Sequence, residues 1–180
     1  QVNLLTSVIG AVTLVSYIAV YTPLKRVTPL NTVVGAVPGA LPPLMGWTAV
    51  GGEITMEGLI LVAILYFWQL PHFFAIAWIY RDQYAKAGFV MLSLDDESGK
   101  RTSQQAVIYS VSLLPFSVLP HICGMTGVLY FVGAIILGGL YLIYSIYFYR
   151  KLTASSARQL FIYSIIYLPL LLGLMLFDGV

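Results

Sequence analysis

The chain has 180 residues, of which 59% are apolar and 9% charged, and its nine Lys and Arg against seven Asp and Glu give a net charge of +2. With a mean hydropathy of +0.90, it has too little polar surface to cover a water-soluble domain of this size, which excludes a soluble fold. Every Lys and Arg falls within 21–32, 80–103 or 150–158, so the positive charge marks one face of a membrane protein, and no nucleic-acid partner is expected.

A helix needs roughly 20 mostly apolar residues to cross the hydrocarbon, and six stretches qualify: 2–20, 33–50, 57–79, 104–122, 127–149 and 159–177. The expected fold is an all-α membrane protein, a single transmembrane domain of six helices set in a lipid bilayer. Linkers after the first, third and fifth spans hold every Lys and Arg, whereas 51–56 and 121–126 hold none. The positive-inside rule puts the basic loops on the cytoplasmic side, or the matrix side in an organelle. The chain opens with Gln1 and Val2 and enters the first span at once, with no initiator Met and no basic leader, and this reads as the C-terminal part of a longer protein. No small-residue cleavage site follows that would make 2–20 a signal peptide.

Segment 21–32 sets Lys25 and Arg26 among Tyr21, Thr22, Thr28, Asn31 and Thr32 at the mouth of the second span. Arg grips phosphate with a fork of N–H groups and Lys as a point charge, so this segment is a candidate site for an anionic, phosphorylated substrate. Cations are also what topology alone places in such a loop. The second span alternates Gly35, Gly39 and Gly46 with Pro38, Pro42 and Pro43. Each interior proline deletes a helical hydrogen bond, and broken backbone at membrane depth is tolerated only where protein or a polar cavity covers it. The span is therefore expected to line a cavity, with Gly35 and Gly39 permitting close helix contact.

In the third span Trp68, Gln69, Pro71 and His72 interrupt an apolar run. Trp68 and His72 sit one turn apart on a shared face. An ionisable group at membrane depth is a functional candidate by default, so His72 is the candidate for touching a substrate buried in the membrane; a neutral histidine bonded to a neighbouring helix is the other reading. The next loop adds Arg81, Asp82, Tyr84 and Lys86, then Asp95, Asp96 and Glu97. Carboxylates beside cations suit Mg²⁺ held together with a diphosphate, which makes Asp82 the candidate metal contact, although Asp82 and Lys86 are equally an i,i+4 surface pair. Residues 95–100 read as a solvated turn, His121 as a solvated interfacial residue, and the lone Cys123 as a small apolar packing residue. Topology and contact with anionic lipid account for Arg150, Lys151 and Arg158.

Read in order, Tyr21-Thr22-Pro23-Leu24-Lys25-Arg26, Asn31-Thr32, Gly35-Ala36, Pro38-Gly39-Ala40, Pro42-Pro43 and Gly46-Trp47 resemble the central signature of the haem O synthase (protohaem IX farnesyltransferase) family, within the UbiA-type intramembrane prenyltransferase superfamily. Trp68-Gln69-Leu70-Pro71-His72-Phe73-Phe74, Tyr80-Arg81-Asp82-Gln83-Tyr84 with Ala87-Gly88 and Met91-Leu92, and Ala157-Arg158 with Tyr167-Leu168 extend the resemblance along the whole chain. It implies a nine-helix bundle around a central cavity, with the last six helices here. It also implies transfer of the farnesyl group of farnesyl diphosphate to a vinyl group of haem B, with addition of water, giving haem O for haem A and terminal oxidase biogenesis. The membrane would be the bacterial or the mitochondrial inner membrane, and the product would pass to haem A synthase or oxidase assembly factors. On the same resemblance Lys25, Arg26 and Arg81 hold diphosphate, Asp82 helps place Mg²⁺ and His72 contacts the porphyrin or its iron. Tyr21, Thr22, Asn31, Thr32, Trp68, Gln69, Tyr84 and Lys86 would line the substrate site.

Two features depart from the family pattern. Its first acidic motif, an Asn/Asp-rich loop between the second and third helices, does not occur in these 180 residues, so the fragment alone is expected to be inactive. The second acidic motif has Lys86 where many relatives in the superfamily carry a second aspartate. A sister prenyltransferase with an aromatic acceptor for quinone or chlorophyll synthesis is the nearest alternative, and 68–72 speaks against it. A transporter subunit would share the basic face and broken helix, but the chain has no repeated half with matching interruptions.

Overall fold

Asn3 starts the first helix, its side chain accepting a hydrogen bond from the Thr6 backbone N–H at 2.9 Å. The structure, a computed structural model, describes residues 3–180, so the expected start of the first span at residue 2 lies outside the described residues. From its cap, α1 (Leu4–Val15) continues through a π-helical segment, Ser16–Tyr21, into the short turn α2 (Thr22–Leu24). The run thus reaches residue 24, and Tyr21 and Thr22 stand on the helix end instead of in a loop. The second span is divided into α3 (Asn31–Ala40) and α4 (Pro42–Gly51), which meet at Leu41. Pro42 and Pro43 carry no N–H, so the last carbonyls of α3 lose their usual donors and the helix has to restart.

α5 (Met56–Ile79) passes Pro71 as one continuous helix. The short α6 (Arg81–Lys86) and α7 (Leu92–Asp95) occupy the following loop, and α8 (Lys100–Ile122), α9 (Val128–Lys151) and α10 (Ala154–Phe177) complete the chain. Six helical stretches among the described residues are long and apolar enough to cross a membrane. The chain is an all-α integral membrane protein.

The central helix is α5, against which α3, α4, α8 and α10 pack, while α9 lies against α8 and α10. Where helices meet, the enclosed residues include Ala36, Ala75, Ala106, Ala134 and Ala157, and such small side chains let backbones approach without a clash. Tyr130, Tyr141 and Tyr167 are enclosed as well. Their phenols are all satisfied: Tyr130 donates to the Ser117 carbonyl at 2.9 Å, Tyr141 to the Trp68 carbonyl at 2.9 Å, and Tyr167 pairs with Ser117 Oγ at 2.7 Å. With no water in the hydrocarbon, each unpaired group would cost several kcal/mol, so these tyrosines fix how α5, α8, α9 and α10 register. Ile136, Ile143, Ile162 and Ile166 face outward, where lipid replaces the core.

At one end of the bundle the Val90 N–H donates to the Lys25 carbonyl at 2.7 Å, which joins the two basic loops. At the other end the turn between α8 and α9 meets the residues after α10. Gly127 N–H donates to the Asp178 carbonyl at 2.8 Å, and the Asp178 carboxylate accepts the Tyr130 N–H at 2.7 Å in the first turn of α9. His121 belongs to this closure and is not simply solvated: its Nδ1 lies 2.9 Å from the Thr126 carbonyl and its ring 5.0 Å from that of Phe131. Cys123 is exposed in the same turn, so it fills no core as its residue type suggested.

The turn at 95–100 is also more than solvated. Asp95 and Glu97 are exposed, but Asp96 is 5% exposed, and its carboxylate accepts the Thr102 N–H at 2.8 Å and the Ser98 hydroxyl at 3.0 Å, capping the start of α8. Gly99 adopts φ 74° there, and a Cβ on it would sit 2.5 Å from the Trp78 ring. Burial acts to raise the Asp96 carboxyl, but the bonds from Thr102 and Ser98 outweigh it and hold the group below the usual carboxylate range. With the folded value below the unfolded one, the cap stabilises the fold above about pH 4 and that contribution is lost as pH falls through the lower folded value. Asp96→Ala is expected to cost about 1 kcal/mol and to flatten the acid side of the stability profile, as read by thermal unfolding of the detergent-solubilised protein from neutral pH into acid.

Candidate active site

The π-helical turn at the end of α1 adds a residue per turn, and the Thr22 hydroxyl donates back to the Tyr17 carbonyl at 2.9 Å. Tyr17 and Tyr21 then lie with their rings 5.1 Å apart. The Lys25 ammonium rests 4.4 Å from the Tyr21 ring centre and 5.9 Å from those of Tyr17 and Phe89, a position the ring quadrupoles favour. Tyr21 is seated by a glycine, because a Cβ on Gly35 would collide with its ring. At Gly39 a Cβ would fall 2.5 Å from Gln69 Oε1, and Gln69 Nε2 donates to the Ala36 carbonyl at 2.7 Å. The two glycines expected to serve close helix contact thus make room for side chains.

Tyr21, Lys25, Asn31, Thr32 and Tyr84 share one cavity of about 150 Å³, whose apolar side is formed by Phe73, Ile76, Phe89 and Met91. Asn31 is 1% exposed and donates to the Thr28 carbonyl at 2.6 Å and the Val90 carbonyl at 2.5 Å. Both amide protons are used in this way, so Asn31 ties the two basic loops together beside the cavity. Burial pushes the Tyr84 phenol above its ordinary value, and the Tyr80 phenol adds to the shift, so the Tyr84 group remains an O–H donor.

The other loop residues are placed elsewhere. Arg26, Asp82 and Lys86 are exposed. Arg81 stacks on Trp78 at 4.7 Å, and its Nε lies 3.8 Å from Asp82 Oδ1. Arg81 and Asp82 border a separate hollow of about 200 Å³ with Ser93, Leu94 and Glu97. Asp82 therefore orients toward Arg81, its partner in the ion pair. Among the described residues no three His, Cys, Asp or Glu come together in a group that could hold a metal ion, so any Mg²⁺ here would have to rest on Asp82 and the oxygens of a bound diphosphate.

Deeper along α5, His72 and Trp68 stack at 5.4 Å and 24°. Trp68 Nε1 donates to the Ser164 carbonyl at 2.8 Å, His72 Nδ1 lies 2.7 Å from Ser164 Oγ, and the Phe161 ring is 5.0 Å from the half-buried imidazole. Gln69 turns the other way, toward α3. Sequence reasoning did not single out Tyr17, Phe89, Phe161 or Ser164. Tyr17 sits one turn before Tyr21, which was a usable signal, but Ser164 lies in an apolar run and only its partners on α5 reveal it.

Residues 1–169 match the UbiA prenyltransferase family. The chain belongs to that family. It is 48% identical over 177 residues to a protoheme IX farnesyltransferase of Solibacter usitatus, covering 98% of this chain and 61% of the relative. A protoheme IX farnesyltransferase of Koribacter versatilis is 44% identical, with 98% and 59% covered, and the mitochondrial one of Arabidopsis thaliana is 41% identical, with 98% and 41% covered. The chain thus spans about 60% of the length of the two bacterial relatives. A solved structure from work on digeranylgeranylglyceryl phosphate synthase in membranes superposes with a TM-score of 0.84 at 16% identity, covering 98% of this chain and 62% of that one. At that identity the likeness speaks for the UbiA-type fold alone.

In this UbiA-family chain, Gly35→Ala is expected to displace the Tyr21 ring at a cost of about 1–3 kcal/mol. A Tyr21→Ala change in the same protein should remove most of that cost, because the ring that the new methyl meets is gone; thermal unfolding of both single variants and the double variant measures the coupling.

Proposed function

We propose that the full-length protein transfers the farnesyl group of farnesyl diphosphate to a vinyl group of haem B and, with water adding, makes haem O. The observation that carries this reading is the succession along α5: the cation-bearing cavity with Phe73 and Ile76 on its apolar side, then His72 and Trp68 at membrane depth. Such a site suits a substrate with an anionic head at the surface and an apolar chain in the bilayer. The names of the relatives support haem as the acceptor.

In the proposed reaction the bond between farnesyl C1 and the diphosphate oxygen breaks, and the oxygen keeps the electron pair. Stabilising charge as it develops is usually the largest catalytic term. Lys25 supplies the positive charge inside the cavity, the phenols of Tyr21 and Tyr84 supply donors, Thr32 lines it with its hydroxyl turned to Asn31 Oδ1 at 3.3 Å, and Arg26, Arg81 and Lys86 hold the approach to it positive. Asn31 and Thr22 act through the backbone they fix. Trp68 and His72 meet the porphyrin, and Gln69 keeps α3 and α5 in place. Asp82 is the residue that would help hold Mg²⁺, which when bound would neutralise diphosphate charge. The basic loops are taken to face the cytoplasm of a bacterium, or the matrix, with haem O passing to haem A synthase or oxidase assembly factors.

Lys25→Ala is expected to lower kcat/KM by roughly 10²–10³, the size of a lost charge-stabilising donor, while Arg26→Ala, exposed at the rim, should cost about tenfold or less. Full-length protein incubated with farnesyl diphosphate, haem B and Mg²⁺, with products separated by mass-resolved chromatography, gives both values. Prenylation of an aromatic acid with haem untouched would keep the family and change the acceptor.

A further inference from the structure

Ser164 has one hydroxyl proton and three polar neighbours: the Phe161 carbonyl, His72 Nδ1 and the Tyr141 phenol, whose own proton goes to the Trp68 carbonyl. The Phe161 carbonyl, one turn back on α10, lies 2.5 Å from Ser164 Oγ, and His72 Nδ1 lies 2.7 Å from the same oxygen. A carbonyl oxygen only accepts, so a 2.5 Å oxygen–oxygen approach requires the serine proton between the two. Ser164 Oγ then has only a lone pair to offer His72, and Nδ1 must be the nitrogen that carries hydrogen. The neutral imidazole is fixed as the Nδ1–H tautomer, and Nε2 is an unprotonated acceptor with no hydrogen-bond partner among the described residues.

The surroundings hold the ring in that state. Trp68 and Phe161 lie at 5.4 and 5.0 Å, Phe73 stands edge-on at 5.5 Å, and the Trp68 indole is itself anchored to the Ser164 carbonyl. Along the helices that carry the pair, the nearest charged groups are Arg81 just past α5 and Arg158 near the start of α10, cations that accept no proton; Asp82 is exposed and paired with Arg81, and the Tyr141 phenol spends its proton on the Trp68 carbonyl at 2.9 Å. Nε2 of His72 is thus the proton acceptor available at the depth of the buried acceptor.

Resting on the farnesyl transfer proposed above, we infer that His72 is the base for the water that completes the reaction and that Ser164 is its positioning residue. When the vinyl end carbon bonds to farnesyl C1, the neighbouring carbon is left positive. Water oxygen bonds to that carbon, the O–H bond breaks, and the proton goes to His72 Nε2; farnesyl diphosphate, haem B and water become hydroxylated product, diphosphate and one proton. Without the base, the cation loses a proton from the adjacent carbon to the departing diphosphate and leaves an alkene, one water lighter.

The test uses the full-length protein with farnesyl diphosphate and haem B, in the wild type and in His72→Gln, Ser164→Ala and Ser164→Thr, with diphosphate release reporting a folded, working site. Whatever the total turnover that remains, the ratio of hydroxylated to dehydrated adduct is expected to fall at least about tenfold in His72→Gln and in Ser164→Ala, at the low end for loss of a positioned base. Ser164→Thr, which keeps the hydroxyl, should restore the ratio. Nitrogen NMR of ¹⁵N-labelled protein should find Nδ1 protonated and Nε2 bare, a reading independent of turnover. An unchanged adduct ratio in both variants, a bare Nδ1, or a haem absorption band that shifts in His72→Gln without any change in product would each overturn the inference, the last by making His72 an iron ligand. A wild type that makes no farnesylated haem would sink the underlying reaction instead, which the variants alone cannot mimic.

Discussion

The two loops that bring positive charge to one end of the bundle are tied by their backbones. Val90 donates to the Lys25 carbonyl, and Asn31, enclosed at the start of α3, donates back to the Val90 carbonyl. Lys25 would otherwise be one cation on a flexible turn, and Tyr84 and Phe89 would belong to a separate surface. With the clasp in place, residues some sixty apart in sequence share one small cavity. Both amide protons of Asn31 are spent on it, which explains why an amide serves at this position: a carboxylate has no protons to give and a hydroxyl has one.

Much of the fold was open to sequence reasoning because hydrocarbon imposes a length. Six apolar runs separated by alternately basic and uncharged linkers leave few arrangements, and Pro42 with Pro43 marks the restart of a helix wherever it occurs. The first span ran on to residue 24 through Pro23, whose missing N–H leaves one carbonyl of the preceding turn without a donor but whose fixed φ is compatible with helical backbone. Cys123 shows the limit of residue type as a guide, since a turn at the bundle end exposes whatever it holds.

The site was legible as a set of residues and not as an arrangement. Lys25, Tyr21, Thr32 and Tyr84 were chosen for their chemistry and do meet, whereas Arg81 and Asp82 came from equally suitable chemistry and border another hollow. The difference comes from Trp78, which holds Arg81 on its ring while packing against Gly99, and an aromatic residue at a helix end does not announce which neighbour it will stack on. Gly35 and Gly39 carry the same lesson. A small residue says that something approaches closely, but whether it is a helix backbone, the Tyr21 ring or the Gln69 amide depends on where the π-helical turn and α5 place those side chains.

That turn gives the site its geometry. Tyr17 and Tyr21 would share a face in an ordinary helix, but the wider turn brings Thr22 back onto the Tyr17 carbonyl and carries the chain to Lys25 with its ammonium over the rings. The aromatic faces attract the ammonium they surround, offsetting part of the hydration it gives up beside the cavity. On the proposed reaction this matters twice. The same rings that hold the cation at rest form an apolar wall with Phe73 and Ile76, so the diphosphate end is charged and the chain end is dry. On that proposal, water reaching the carbocation before the acceptor would quench it, so the apolar wall of Phe73 and Ile76 serves by keeping water from the chain end until the carbon–carbon bond has formed.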